Sequence, residues 1–188
     1  MFKINKQEEP QFFKDFKRKN KLNNWDDYNY EIKRELKSYM FEKEQGYNCP
    51  YCEIILTLDN SQIEHIKPKD KFPTALSDYS NYLVGCINKK TCGQYKGNKW
   101  DDKFINPTLE NPCDYLTYDM MTGKVIPIAK EGIKYEKAKV TIDMLNLNDK
   151  RLCEMRKTFI ERNMYCIEYL DIYQEFPTLK EWMKENIV

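Results

Sequence analysis

The sequence predicts an α+β fold in which a small cysteine-rich core lies between helical extensions. Two cysteine pairs, Cys49/Cys52 and Cys86/Cys92, enclose a stretch with strand-like alternation, while apolar residues on either side recur at helical spacing. The 188 residues are 41% hydrophobic and 32% charged, which is typical of a globular protein. We therefore expect a single domain, 1–188. It would comprise N-terminal helices (1–47), a core (48–104), and a β-hairpin with C-terminal helices (105–188).

Two helices are predicted before the core. Apolar residues recur every three or four positions over about 9–20 and again from Trp25 onwards. Gly46 suits the left-handed residue that commonly follows a helix C-terminus. The second helix would therefore end at Gly46 and lead the chain directly into Cys49.

The core itself is predicted to be a hairpin followed by a helix. Apolar residues alternate over 54–58, turn-forming residues occupy 59–61, and a second strand is indicated at 62–66. A short turn or helix is expected over 78–83 and a helix over about 90–99, so that a cysteine pair stands at each end of the core.

The C-terminal part is predicted to contain a second small hairpin and then helices. Trp182 and Met183 lie near its end, and the sequence is equally compatible with packing of this helical part on the domain core and with docking of a partner. The predicted elements are strands at 115–118 and 124–128, a helix at about 135–146, a long helix capped by Asp149 and running to Leu170, and a short helix after Pro177.

Charge and targeting signals suggest a cytosolic protein with one basic segment. The N-terminus carries no apolar run of signal-peptide length, and no window approaches a transmembrane span, so we expect a cytoplasmic location. Net charge is +1, but seven lysines and only two aspartates lie between His65 and Lys99. That surplus of positive charge suits a phosphate-rich ligand, and equally a solvated lysine face.

The cysteines indicate a metal site. In a reducing compartment, paired cysteines favour metal binding over disulfides. Cys49-x-x-Cys52 has the spacing of a zinc knuckle, and Cys86 with Cys92 forms a looser second pair. A structural zinc ion with four thiolate ligands accounts best for the two pairs, and chance pairing of packed thiols is the alternative. Cys153 and Cys166 fall in an apolar helical pattern and are expected to be packed thiols.

Glu64 and His65 indicate hydrolytic chemistry. His65 is the one histidine in the chain, and lysines follow it. A carboxylate suits a hard divalent ion such as Mg²⁺, and a neutral imidazole is a good base for activating water near pH 7. The pair is therefore suited to phosphodiester hydrolysis, in which the metal stabilises the phosphate while the histidine deprotonates water.

Further short motifs follow these residues along the chain. In order, the set is Cys49-x-x-Cys52, Glu64-His65-x-x-Pro68, Asn81-x-Leu83, Cys86, Cys92-x-x-x-Lys96-Gly97-Asn98, Asn106-Pro107, Gly123-x-x-x-Pro127 and Thr141-Ile142-x-x-Leu145-x-Leu147-Asn148. The motifs up to Asn98 resemble an HNH endonuclease with a zinc-stapled ββα-metal core. With the later motifs, the resemblance covers about residues 25–165 and extends to one branch, the HNH subunit of Septu-type and retron-associated anti-phage systems (the PtuB family).

The resemblance implies roles for individual residues. Glu64 would bind a catalytic Mg²⁺ or Mn²⁺ ion, His65 would be the general base, and Asn81 would hydrogen-bond across the hairpin to orient His65. The structural Zn²⁺ ligands would be Cys49, Cys52, Cys86 and Cys92. Lys67, Lys69 and Lys96 would contact the nucleic-acid backbone.

One position departs from the family pattern. Many HNH proteins place Asn or His directly after the last cysteine as the second ligand of the catalytic metal, and here that position is Gly93. Asn98 is the best substitute, and Asn88 is the other nearby amide. Gly93 also favours an alternative in which the chain is an inactive zinc module that binds nucleic acid or a partner.

The resemblance also implies partners and a biological setting. Such subunits work with an ABC/SMC-like ATPase, and in retrons also with a reverse transcriptase and its DNA–RNA product. We expect a nuclease effector of an anti-phage complex that acts on nucleic acid, with DNA favoured and a tRNA-cleaving RNase as the alternative.

Overall fold

The computed structural model describes residues 1–187, in which helices surround two small antiparallel hairpins. Six α-helices and four strands form within this range, and the buried apolar residues make up one continuous core. The helices are α1 (Gln11–Lys19), α2 (Tyr30–Met40), α3 (Cys92–Lys96), α4 (Gly132–Leu145), α5 (Lys150–Asn163) and α6 (Pro177–Asn186), and the strands are β1 (Ser61–His65), β2 (Tyr82–Cys86), β3 (Leu116–Tyr118) and β4 (Val125–Pro127).

The predicted N-terminal helices are confirmed, with a later start for the second. The face of α2 that carries Ile32, Leu36 and Met40 is buried, as its spacing predicts. Trp25 lies before this helix, in a separate 3₁₀ turn. A π-helical turn follows α2, and Gly46 closes it with a φ of 58°, the left-handed conformation expected there.

The predicted core hairpin is wrong in its pairing. Residues 54–58 form no strand, and Ile55 makes only an isolated bridge with Asn48, because this segment folds back on the turn that carries Cys49 and Cys52. β1 instead pairs with β2, and His65 lies opposite Tyr82. All five residues of β2 are buried, so this strand provides the apolar partner that β1 requires.

The helix predicted at 90–99 is short. α3 spans only Cys92–Lys96 and ends at Gly97, which has a φ of 51°. The second hairpin, β3 with β4, is confirmed, and so is Asp149 as the N-cap of α5, where its carboxylate accepts a hydrogen bond from the backbone N–H of Arg151. α5 ends at Asn163 rather than near Leu170, and a 3₁₀ segment at Ile167–Ile172 follows it.

The C-terminal helix packs on the protein's own core. Leu179 and Met183 of α6 are fully buried. Glu53, directly after the first cysteine pair, accepts hydrogen bonds from the backbone N–H and the hydroxyl of Thr178, at 2.8 and 2.6 Å. This contact fastens α6 to the cysteine-bearing turn. Of the predicted packed thiols, Cys153 is buried but Cys166 is exposed. None of the helices among residues 1–187 is long and apolar enough to cross a membrane.

Candidate active site

Four cysteine thiols converge in the core beside the β1–β2 hairpin. All four Sγ atoms lie within 4.8 Å of one another, and the Cys49–Cys92 and Cys52–Cys86 sulfur pairs are each 3.9 Å apart. A tetrahedral zinc ion with Zn–S bonds of about 2.3 Å would place sulfurs about 3.8 Å apart. The group is buried, and its geometry and chemistry are those of a site that could hold zinc.

The surrounding elements fix these thiols in place. Cys49 and Cys52 lie in the tight turn that follows Gly46, Cys86 ends β2, and Cys92 begins α3. Cys92 has a φ of 59°, which is uncommon for a residue other than glycine. The fold therefore holds one thiol in a strained backbone conformation, as is found at functional sites.

His65 lies at the end of β1 in a packed aromatic setting. Its ring meets those of Trp25 and Tyr82 edge to face, with centroids 4.7 and 4.9 Å away. Its Nε2 lies 3.2 Å from the carbonyl oxygen of Leu76. Because a carbonyl oxygen only accepts hydrogen bonds, this contact assigns the proton to Nε2 and leaves the Nδ1 lone pair open to accept one.

Burial also keeps this imidazole neutral. Desolvation lowers the pKa of His65 from 6.5 to about 4, and this effect outweighs the contact with Leu76, which raises it. Lys69 and Lys96 lower the pKa further. A ring in this state is unprotonated throughout the neutral pH range, which is the form that a general base requires.

The lowered pKa of His65 gives a direct prediction. Because the chain has one histidine, an NMR titration follows a single imidazole, and we expect its pKa near 4 in the folded protein. Between about pH 6.5 and 4 the unfolded chain binds a proton that the folded chain does not, so the unfolding free energy should fall as pH falls through this window. An observed pKa of 6.5 or higher would show that the ring is not desolvated.

The side chain of Glu64, a β1 residue, packs against Gly93 of α3. A Cβ atom at position 93 would lie 2.2 Å from Glu64 Oε2, so the absence of a side chain there is what allows this carboxylate its position. Glu64 is 7% exposed. Burial raises the pKa of its carboxyl, and the neighbouring ammonium of Lys96 opposes the rise.

Lys96 is buried, whereas the sequence analysis predicts that it contacts the nucleic-acid backbone. It is 1% exposed, its Nζ lies 2.9 Å from Glu64 Oε1, and it donates hydrogen bonds to the carbonyls of His65 and Ile66 at 3.0 and 3.1 Å. Its ammonium therefore cannot reach a phosphate from this position. The physical reason is that the buried carboxylate needs a compensating charge.

Breaking this buried pair should be costly. Lys96→Met leaves Glu64 without a counter-charge, and we expect a loss of about 3–5 kcal/mol in the free energy of unfolding, measured by urea denaturation. Lys99→Met, at an exposed lysine three residues on, is the matched control and should stay within about 0.5 kcal/mol of wild type. Equal stability of the two variants would contradict a structural role for Lys96.

Asn81 forms hydrogen bonds across the hairpin, to backbone and not to the imidazole. Its Oδ1 accepts from the N–H of Lys67 at 2.8 Å, and its Nδ2 donates to the carbonyls of Lys67 and Ala75 at 3.1 and 3.2 Å. These contacts tie the segment that follows His65 to the segment that carries the Leu76 carbonyl. Any effect of Asn81 on the His65 ring is therefore indirect.

A cleft of about 260 Å³ is lined by two of the three predicted catalytic residues, Glu64 and His65, but not by Asn81. Lys69 and Asn98 also line it. Asn98 is exposed, and its Nδ2 donates to Asp70 Oδ2 at 2.6 Å. Asn88 does not line the cleft; its side chain caps a nearby turn by accepting from the N–H of Lys90.

The cleft offers only a sparse set of ligands for a catalytic divalent ion. Glu64 supplies one buried carboxylate, whose Oε1 forms no hydrogen bond of normal geometry, and Asn98 supplies one exposed amide oxygen. Mg²⁺ is commonly held by one or two carboxylates, with waters and substrate phosphate completing its shell. The donors fit an ion that binds together with substrate, rather than a site built from protein ligands alone.

The remaining predicted lysines differ in position. Lys69 lines the cleft and lies 3.3 Å from the exposed carboxylate of Asp70. Lys67 is exposed and extends toward the rings of Phe72 and Trp100. Both are therefore on the surface near His65, where solvent or a phosphate can reach them.

Sequence reasoning missed two residues of this site. Trp25 packs against His65 although forty residues separate them, and no local pattern connects the two. Asp70 holds Asn98 at the rim of the cleft, and the sequence predicts no role for it beyond its charge. Its position directly after Lys69 is the only local feature that points to it.

A helical fold with small antiparallel hairpins and a buried four-cysteine group fits an α+β zinc-binding HNH fold. The chain is 41% identical to a candidate HNH endonuclease of retron Vc95 from Vibrio cholerae, over 66% of this chain and 63% of that protein. It is 28% identical to a candidate HNH endonuclease of retron Ec83 from Escherichia coli, over 97% of this chain and 88% of that protein.

A third relative is the Septu protein PtuB of Bacillus thuringiensis, 33% identical over 53% of this chain and 36% of that protein. No protein-family model matches the chain. The chain is thus related to the HNH proteins of retron and Septu systems, which confirms the resemblance stated from the sequence.

Proposed function

We propose that this chain is an HNH endonuclease that hydrolyses phosphodiester bonds in nucleic acid within a multi-component anti-phage defence system. The observation that supports this best is His65: a neutral imidazole with Nε2–H held by the Leu76 carbonyl and Nδ1 open, in a cleft beside a buried carboxylate. The names of the retron and Septu relatives support the biological setting.

In this proposal the β1–β2 hairpin, α3 and the four cysteines form a ββα-metal core. Cys49, Cys52, Cys86 and Cys92 would hold Zn²⁺ as a structural ion, because their four thiols fill every coordination position and leave no open position for substrate. The hairpin carries Glu64 and His65, and α3 carries Lys96, so the zinc site would fix the relative position of the catalytic elements.

The residues of the cleft would then act on a bound strand. His65 accepts a proton from a water molecule at Nδ1, the water oxygen bonds to phosphorus, and the bond from phosphorus to the leaving ester oxygen breaks. The Leu76 carbonyl keeps the imidazole in the tautomer and orientation that this transfer requires. Lys69 is placed to contact the backbone phosphate.

Glu64, with Asn98 as the second candidate ligand, would hold a Mg²⁺ or Mn²⁺ ion, which supplies charge stabilisation of the phosphate and leaving oxygen. Because Lys96 already neutralises Glu64, we expect this ion to bind weakly until substrate phosphate adds its own negative charge. DNA is the favoured substrate. The expected partner is an ABC/SMC-like ATPase, and in a retron a reverse transcriptase with its DNA–RNA product is expected as well.

A specific observation favours a second candidate, an inactive zinc module. Gly93 removes the usual second metal ligand, and the Glu64 carboxylate occupies the space beside it. Titration with Mn²⁺, followed by cleavage assays on duplex DNA, single-stranded DNA and tRNA with the partner proteins present, separates the two functions. Weak Mn²⁺ binding with cleavage of at least one substrate supports the nuclease. One tightly held zinc, no further ion and no cleavage would contradict it.

A further inference from the structure

A second groove joins the His65 cleft along the edge of β1. It has a volume of about 360 Å³, and it shares Trp25, Gln62 and Ile63 with the cleft. Its far side is formed by Tyr30, Lys33 and Arg34 of α2. These six residues define what we call the β1-edge groove. Within residues 1–187, β1 pairs with a strand only on its β2 side, so its other edge is open to this groove.

The lining of the groove is basic. Lys33 and Arg34 carry positive charge, and Lys37 adds a third at the base, where its Nζ is bonded to the carbonyls of Leu58 and Ser61. One acid, Asp59, lies at the rim, and it is 3.9 Å from Arg34 and 91% exposed. Asp26 also faces Lys33. Lys33, Arg34 and Lys37 against Asp59 give the lining a net charge of +2, which suits a chain of phosphates.

Aromatic rings alternate with these cations. Trp25 is half-buried between His65 and Lys33, whose Nζ lies 4.9 Å from the centre of its ring. Tyr30 is 66% exposed, and its hydroxyl accepts a hydrogen bond from Arg34 at 3.0 Å, which holds an exposed ring and a guanidinium together at the mouth of the groove. Basic grooves interleaved with aromatic rings are how proteins hold single strands, because an unpaired base presents a free face for stacking.

We propose that the β1-edge groove binds an unpaired stretch of the nucleic-acid strand that leads into the His65 cleft, with phosphates on Lys33 and Arg34 and a base stacked on Tyr30. This rests on the proposed nuclease function and specifies its substrate: a single-stranded segment, of DNA or RNA, beside the bond to be cut. A duplex would not satisfy the groove, since its bases already stack on one another and offer Tyr30 no free face.

The test measures binding, not cleavage, so that it is independent of the chemistry. The zinc-loaded full chain carrying His65→Ala, without added Mg²⁺, is titrated with a fluorescein-labelled 12-nucleotide single strand, as DNA and as RNA, and with the matching 12-base-pair duplex. We expect Tyr30→Ala to weaken single-strand binding about tenfold and to leave duplex binding within twofold. The DNA and RNA arms identify which strand the groove prefers.

A charge-neutralising variant tests the phosphate contacts. Lys33→Gln with Arg34→Gln should make the negative slope of log affinity against log salt shallower by about 1.4, as expected for two lost phosphate contacts on a single strand. Lys14→Gln with Arg18→Gln, on α1, is the matched control and should leave the slope unchanged. The proposal would be overturned if both groove variants bound the single strand within twofold of the parent, or if no probe bound at low salt. Undiminished cleavage by His65→Ala would instead count against the proposed function alone.

Discussion

Replacement of Cys49 by serine should abolish zinc binding and lower the melting temperature of the protein by more than about 10 °C. A structural zinc contributes folding free energy directly, and about 1 kcal/mol corresponds to about 2–4 °C for a chain of this size. The four thiols connect the turn after α2, the end of β2 and the start of α3, so loss of the ion would release three elements at once. Without it, four buried thiols would also lack the cation that favours their ionised forms.

Zinc content by elemental mass spectrometry and thermal unfolding by circular dichroism measure this effect. Cys113→Ser is the matched control, because Cys113 is an exposed thiol outside the group. The control should bind one zinc per chain and melt within about 2 °C of wild type. A Cys49→Ser protein with a full equivalent of zinc and an unchanged melting temperature would show that the four cysteines are only packed thiols.

His65→Ala should lower the rate of nucleic-acid cleavage by about 10²–10⁴-fold, the range that general base catalysis contributes. No other histidine can take over the proton transfer. Glu64, its neighbour on β1, is buried against Gly93 and paired with Lys96, and Asp70 accepts a hydrogen bond from Asn98. The loss should appear in the rate of the chemical step rather than in the affinity for the strand.

The fold should survive this substitution. The Leu76 carbonyl keeps its hydrogen bond from the Tyr82 hydroxyl after the imidazole is removed, and the four cysteines are untouched. Zinc content and the circular dichroism spectrum should therefore match wild type. Tyr169→Ala, which removes an exposed ring outside the cleft, should cleave at the wild-type rate. A His65→Ala protein with wild-type activity would show that another group activates the water.

Features that depend on local chemistry were predictable from the sequence. The spacing of Cys49 and Cys52 predicts a tight turn that presents two thiols, and the structure contains it. Gly46 and Asp149 were identified as helix boundaries because a left-handed residue and an N-cap each require particular side chains. The second hairpin followed from two short apolar runs on either side of Thr122-Gly123.

Features that depend on distant contacts were not predictable. β1 pairs with β2 across an intervening loop of sixteen residues, because β2 is apolar on both faces, whereas the sequence offered a nearer but weaker partner at 54–58. Lys96 reads as one more surface lysine in a basic segment, and only the folded chain shows that it neutralises Glu64. The contact between Trp25 and His65 likewise exists only after α2 has packed on the hairpin.

The most direct test of whether His65 activates water to cut a strand is cleavage in ¹⁸O-labelled water. Wild type and His65→Ala are compared at equal zinc content and with the partner proteins present. Wild type should yield products that carry one ¹⁸O atom in each new terminal phosphate, and His65→Ala should yield almost none in the same time. Unlabelled product, such as the cyclic phosphate left when an RNA 2′-hydroxyl attacks, or equal cutting by the two proteins, would contradict this mechanism.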